Sequence, residues 1–83
     1  MKKEVKLSYI NWDENSNKVY KIHLHKDEDN DVYRVFVKYG PRGRIGNYTA
    51  KLTTSNINEA SKLYHKLLDS KLRKGYEIEE ETR

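Results

Sequence analysis

The stretch VYRVFVKYGPRGRIG, residues 32–46, decides the fold. Its first eight residues, Val32 to Tyr39, are rich in β-branched and aromatic side chains, the composition of a strand. Alternation places Tyr33, Val35, Val37 and Tyr39 on one side and Val32, Arg34, Phe36 and Lys38 on the other. Both sides hold apolar groups, which predicts a central position in a sheet. The next seven residues, Gly40 to Gly46, contain three of the four glycines and the only proline. They read as a loop with unusual backbone angles.

Outward from this stretch the pattern continues in both directions. On the N-terminal side, Tyr20, Ile22 and Leu24 alternate with Lys21, His23 and His25, and Val5, Leu7 and Tyr9 alternate with Lys6 and Ser8. Both are strands by their period of two. Polar residues 13–17 and the charged run Lys26 to Asp31 are turns, and Asn30-Asp31 tolerates left-handed backbone. On the C-terminal side, Tyr48, Ala50 and Leu52 alternate with Thr49, Lys51 and Thr53, predicting a fourth strand.

The period then changes. Asn56 followed by Glu59 has capping-box spacing, and Ile57, Ala60, Leu63, Tyr64, Leu67, Leu68 and Leu72 form a helical stripe over 57–74. Lys71, Arg73 and Lys74 suit the negative end of that helix, and Gly75 stops it. Tyr76 and Ile78 allow a short last strand before the acidic tail frays. The order predicts an α+β fold, an antiparallel sheet of four to five strands with one C-terminal helix packed on one face. Residues 1–83 form a single domain with an acidic tail at 77–83.

Composition narrows the function. The 83 residues include 17 Lys or Arg, 13 Asp or Glu and no cysteine. Without cysteine there is no disulfide framework, thiolate nucleophile or cysteine-based zinc site. No apolar run reaches the roughly 18 residues of a membrane span. The start, Met1 to Lys6, has no apolar stretch after its basic residues, which argues against a signal peptide. The expectation is a soluble, cytoplasmic domain with no cofactor, no membrane partner and no small-molecule substrate.

Charge is segregated. Residues 32–54 hold five bases (Arg34, Lys38, Arg42, Arg44, Lys51) and no acid, whereas residues 27–31 hold four acids and no base. An acid-free basic run that coincides with a glycine-rich loop is the footprint of a polyanion partner. Glycines let backbone approach a phosphate and present N–H groups to it, and arginines donate bidentate bonds to its oxygens. An aromatic at the loop's edge, Tyr39, can stack on a base or sugar. The loop does not match the nucleotide-binding pattern G-x-x-x-x-G-K-[ST].

Three blocks carry a family resemblance: Asn15 to Ile22, Tyr33 to Gly40 with the loop that follows, and Glu59-Ala60 through Lys71 to Tyr76. Together they resemble the WGR domain, a module of DNA-dependent poly(ADP-ribose) polymerases and of bacterial proteins. The signature itself departs: Tyr39-Gly40-Pro41 stands where the family has Trp-Gly-Arg. In the polymerase members that Trp and Arg meet a strand end at a DNA break. The resemblance implies that role for Tyr39 and not for Pro41, with Arg42 and Arg44 near enough to supply charge from shifted positions.

Other candidates are weaker. His23 and His25 share a strand face, but no third metal ligand is fixed near them. Asp27, Glu28, Asp29 and Asp31 lack the glycine and distal glutamate of a calcium loop. Ser55 and Ser61 have no legible base, His65 falls outside the apolar stripe, and Trp12 is expected at the sheet edge. The residues therefore point to a non-enzymatic nucleic-acid-binding module, DNA before RNA. Its site would be Arg34, Lys38, Tyr39, Gly40, Arg42, Gly43, Arg44 and Lys51, with Lys71, Arg73 and Lys74 as outriders. The alternative is a protein-interaction adaptor, working through its basic face or a sheet edge within a larger assembly.

Overall fold

The computed structural model describes residues 2–82, which form β1 (Lys2–Asn11), β2 (Ser16–Asp27), β3 (Val32–Pro41), β4 (Thr49–Thr54), α1 (Ile57–Arg73) and β5 (Glu77–Thr82). The five strands make one antiparallel sheet in the order β4-β3-β2-β1-β5. β3 has a neighbour on each edge, but the centre belongs to β2. The two hairpin turns carry Asn15 and Asp31 at φ +52°, positions where a short polar side chain tolerates left-handed backbone.

One face of the sheet is the core. Val5, Leu7, Tyr20, Ile22, Leu24, Val35 and Val37 point to the same side and are buried beneath Ala60 and Tyr64 of α1. Burying each large aliphatic side chain there stabilises the fold by about 1.5–3 kcal/mol. Leu63, Leu67 and Leu68 pack at the margin. Leu72, expected in the stripe, is 40% exposed at the helix's last turn.

The helix caps differ at its two ends. Asn56 Oδ1 accepts from Asn58 N–H at 2.9 Å. The return bond from Glu59 does not form, since the Asn56 N–H donates to Thr54 Oγ1 at 3.1 Å. At the C-terminus, Gly75 N–H donates to Leu72 O and Tyr76 N–H to Lys71 O, both at 3.1 Å, the Schellman pattern. Gly75 sits at φ +99°, and a Cβ there would lie 3.3 Å from the Tyr9 ring. That turn brings Tyr76 back over the sheet.

Two bulges redirect side chains. In β4, Val35 pairs with Leu52 and Phe36 with Ala50, leaving Lys51 as the extra residue. Leu52 packs on the core while Tyr48 crosses to the open face, so the single alternation expected from Tyr48 to Thr53 is broken. In β5, Lys6 pairs with Glu80 and Leu7 with Ile78, leaving Glu79 extra. The acidic segment expected to fray pairs with β1 through Thr82, its Glu79 held by Lys6 and Arg42. Arg83 lies outside the described residues. Trp12 is not packed at the sheet edge: it sits in the β1–β2 turn, 84% exposed.

Candidate nucleic-acid interface

At the end of the sheet where β2 begins, β3 ends and α1 gives way to β5, a groove of about 510 Å³ opens. Its walls include Lys18, Tyr20, Tyr39, Gly40, Lys51, Lys71 and Tyr76. The β2–β3 register sets Tyr20 opposite Tyr39, and cross-strand neighbours of this kind interact directly. Their rings stack at 5.5 Å and 19°. Tyr76 meets Tyr20 edge-on at 6.3 Å, and Tyr9 lies 5.4 Å from Tyr76. Tyr20 is buried in this stack, whereas Tyr39 is 56% exposed and offers its ring to solvent.

Lysines crown the aromatics. Lys71 Nζ stands 4.4 Å from the Tyr20 ring centroid and 5.5 Å from that of Tyr76, and Lys18 Nζ 6.0 Å from that of Tyr9. Burial lowers the pKa of Lys71, and the like charges of Lys74, Lys51 and Lys18 lower it further. Burial raises the pKa of Tyr20, helped by Tyr39 and Tyr76. Among the described residues, no carboxylate lies within ion-pair distance of Lys18, Lys51 or Lys71. Cations that repel one another above aromatic faces, with no acid between them, have the charge and shape to receive an anion that also has a planar group.

The glycine-rich loop forms the groove's lip and is tied to itself. Gly46 N–H donates to Tyr39 O at 3.1 Å, Arg44 N–H to Pro41 O at 2.9 Å, and Arg42 N–H to Asn17 O at 2.9 Å. Those three N–H groups are therefore spent within the protein. Gly40 is required by close approach, since a Cβ on it would lie 2.8 Å from the Arg44 carbonyl oxygen. Gly43, at φ +87°, has open space where a Cβ would stand.

The residues singled out by sequence divide by position. Tyr39, Gly40 and Lys51 line the groove, Lys51 among them because of its bulge. Arg42 donates through Nε to Asn17 Oδ1 at 3.1 Å and pairs with Glu79. The Arg42 hydrogen bond is the main cause holding the Glu79 carboxyl below its ordinary range, with help from Ser8 and Lys6. Arg44 is exposed on the loop. Lys38 points to the open face, 4.9 Å from the Tyr48 ring centroid. Arg34 is at the far end of β3, paired with Asp27 at 2.9 Å.

The groove also brings in Lys18, Tyr20 and Tyr76, which the sequence does not single out, and Lys71, to which it gives an outlying place. The available signal was the Lys18-Val19-Tyr20 spacing opposite Tyr39, which a hairpin pairing would have brought together. His65 does come within 3.5 Å of Ser61 Oγ. Its Nδ1, however, is 2.8 Å from the Ser61 carbonyl oxygen, so it carries the proton and is no base for that hydroxyl. Among the described residues, no group of three or more potential ligands is placed to hold a metal, and no helix is long and apolar enough to cross a membrane.

Residues 3–83 match the WGR domain. Poly [ADP-ribose] polymerase 2 of Homo sapiens is 27% identical over 77 residues, which cover 93% of this chain and 13% of that protein.

Proposed function

The chain belongs to the WGR domain family, and from that premise we propose that it is a non-enzymatic module that binds DNA in the tyrosine-lined groove. The carrying observation is the groove's composition: Lys18, Lys51 and Lys71, without an acid partner, around a stack that leaves Tyr39 exposed. The lysines would neutralise backbone phosphates, and Tyr39 would stack on a terminal base or sugar where a strand ends. Arg44 would add an outer phosphate contact from the lip. The chain spans about an eighth of the polymerase it resembles, so a larger protein's activity is no part of this reading.

Phosphate contacts carry no sequence information, so affinity should depend on salt and vary little with sequence. Stacking is worth roughly 1–3 kcal/mol per base, which gives open ends or nicks an advantage of about ten- to a hundredfold. The test is binding to open-ended, nicked and closed-circular duplex at several salt concentrations. A salt-sensitive preference for ends supports the reading. Salt-insensitive binding, or none to any nucleic acid, overturns it in favour of a protein-interaction adaptor.

A further inference from the structure

We propose that the open face of the sheet, opposite the helix, carries a second anion site that takes the phosphate group of a nucleotide against His23. The site is separate from the groove and does not rest on it. A cavity of about 300 Å³ is lined by Lys2, His23, His25, Phe36 and Tyr48. That volume is at the small end of ligand sites, enough for a phosphate and the group attached to it.

His23 is the unusual member. It is a titratable side chain only 6% exposed, on the sheet face that also carries Lys2, Lys38 and the half-exposed Tyr48 ring. Its ring stacks on Phe36 at 5.0 Å and 9°, and the Tyr48 ring meets it edge-on at 5.0 Å. Nδ1 lies 3.5 Å from Glu4 Oε2, but Nε2 is buried without a hydrogen-bond partner among the described residues. A buried nitrogen left unpaired is uncommon in a native fold and calls for a partner.

The surroundings specify that partner's charge. Lys2 and Glu4 face His23 from β1, Lys21 and His25 belong to its own strand, and Lys38 comes from β3. The Tyr48 hydroxyl is the titratable group contributed by the segment before β4. Glu4 is the one acid among them, and it lies on the Nδ1 side. With the Nδ1 proton directed at Glu4, neutral His23 keeps a bare Nε2 that is closed to solvent, and a ligand reaches it when the half-exposed Tyr48 ring beside it swings aside. When the ring takes up a proton, Nε2–H becomes a charge-assisted donor to a phosphate oxygen, and Lys2 and His25 stand beside it for the others. Phe36 and Tyr48 give the attached sugar or base an apolar wall. Anion binding and proton uptake at His23 are therefore coupled.

The test uses the full chain with ¹⁵N-labelled histidine rings, titrated with sulfate, adenosine 5′-monophosphate and a 5′-phosphorylated oligonucleotide. The His23 Nε2 resonance should shift saturably, and its titration should move to higher pH with sulfate, a dianion throughout that range. Adenosine without phosphate should have no effect. Lys2→Ala/His25→Ala, at two exposed positions, should weaken binding by about tenfold or more, the loss of the two contacts beside His23. Lys71→Ala in the groove should leave it unchanged. Binding of the free nucleotide identifies a nucleotide site, and binding of the oligonucleotide terminus alone identifies a second nucleic-acid contact; both uphold the phosphate site. No saturable Nε2 shift, an unaltered response in Lys2→Ala/His25→Ala, or loss of the shift in Lys71→Ala would each overturn it.

Discussion

Arg42 in the loop and Lys71 at the helix end are both cations beside one groove, yet they differ in what holds them. Arg42 is fastened through its backbone and Nε to Asn17 and through its guanidinium to Glu79. Lys71 rests on Tyr20 and Tyr76, is partly desolvated and is repelled by Lys18, Lys51 and Lys74. An anion relieves that repulsion at Lys71, whereas at Arg42 it must first compete with a carboxylate. Charge counted along a sequence is thus not the charge a partner can use.

The largest effect that sharpens this contrast is at the groove's floor. Tyr20→Ala removes a buried aromatic on which Lys71 rests, and should cost about 3–5 kcal/mol in a denaturant titration. Tyr39→Ala, one ring above, should leave folding nearly intact. It should instead remove the preference for DNA ends, worth roughly 1–3 kcal/mol of stacking, while Tyr39→Phe retains it. If Tyr39→Ala unfolds the domain as Tyr20→Ala does, the exposed ring is structural.

How far the sequence reveals this contrast depends on the distance between partners. The strands, the helix and Gly75 were legible because period and turn chemistry are local. Tyr39 and Gly40 were legible because a strand visibly ends there. Lys51 was assigned to the site, but its bulge was not visible in an unbroken alternation of Tyr48 to Thr53. The Arg42–Glu79 pair joins residues 37 apart in sequence, and local reading instead left Glu79 in a fraying tail. Lys18 and Lys71 meet only after β2 has paired with β3 and the helix has crossed them.

Smaller effects test the tied side. Glu79→Gln should release Arg42 and strengthen duplex binding a few-fold, with a loss of folding stability of about 0.2–1 kcal/mol, as expected of an exposed ion pair. The same substitution in an Arg42→Ala background should have no effect on binding. Unchanged affinity in both would mean that the Arg42 pairing does not limit access.

On the open face, burial lowers the pKa of His23 from its ordinary 6.5, and Lys21, Lys2 and Lys38 lower it further against the pull of Glu4. The unfolded chain therefore takes up the proton first as pH falls. The contribution is full above about pH 6.5 and is lost as pH drops through the lowered folded value. Denaturant midpoints measured in low salt without phosphate should fall over that range, and the fall should be smaller in His23→Gln.

The most direct test of the central claim is the salt dependence of duplex affinity for the unmutated chain, Lys18→Ala/Lys51→Ala/Lys71→Ala and Arg42→Ala/Arg44→Ala. Each phosphate contact contributes a slope of about −0.9 in log affinity against log salt. The groove variant should flatten the slope by nearly three contacts, and the loop variant by about one, from Arg44. A loop variant that flattens it by two contacts while the groove variant leaves it unchanged would contradict the account and return the binding site to the glycine-rich loop.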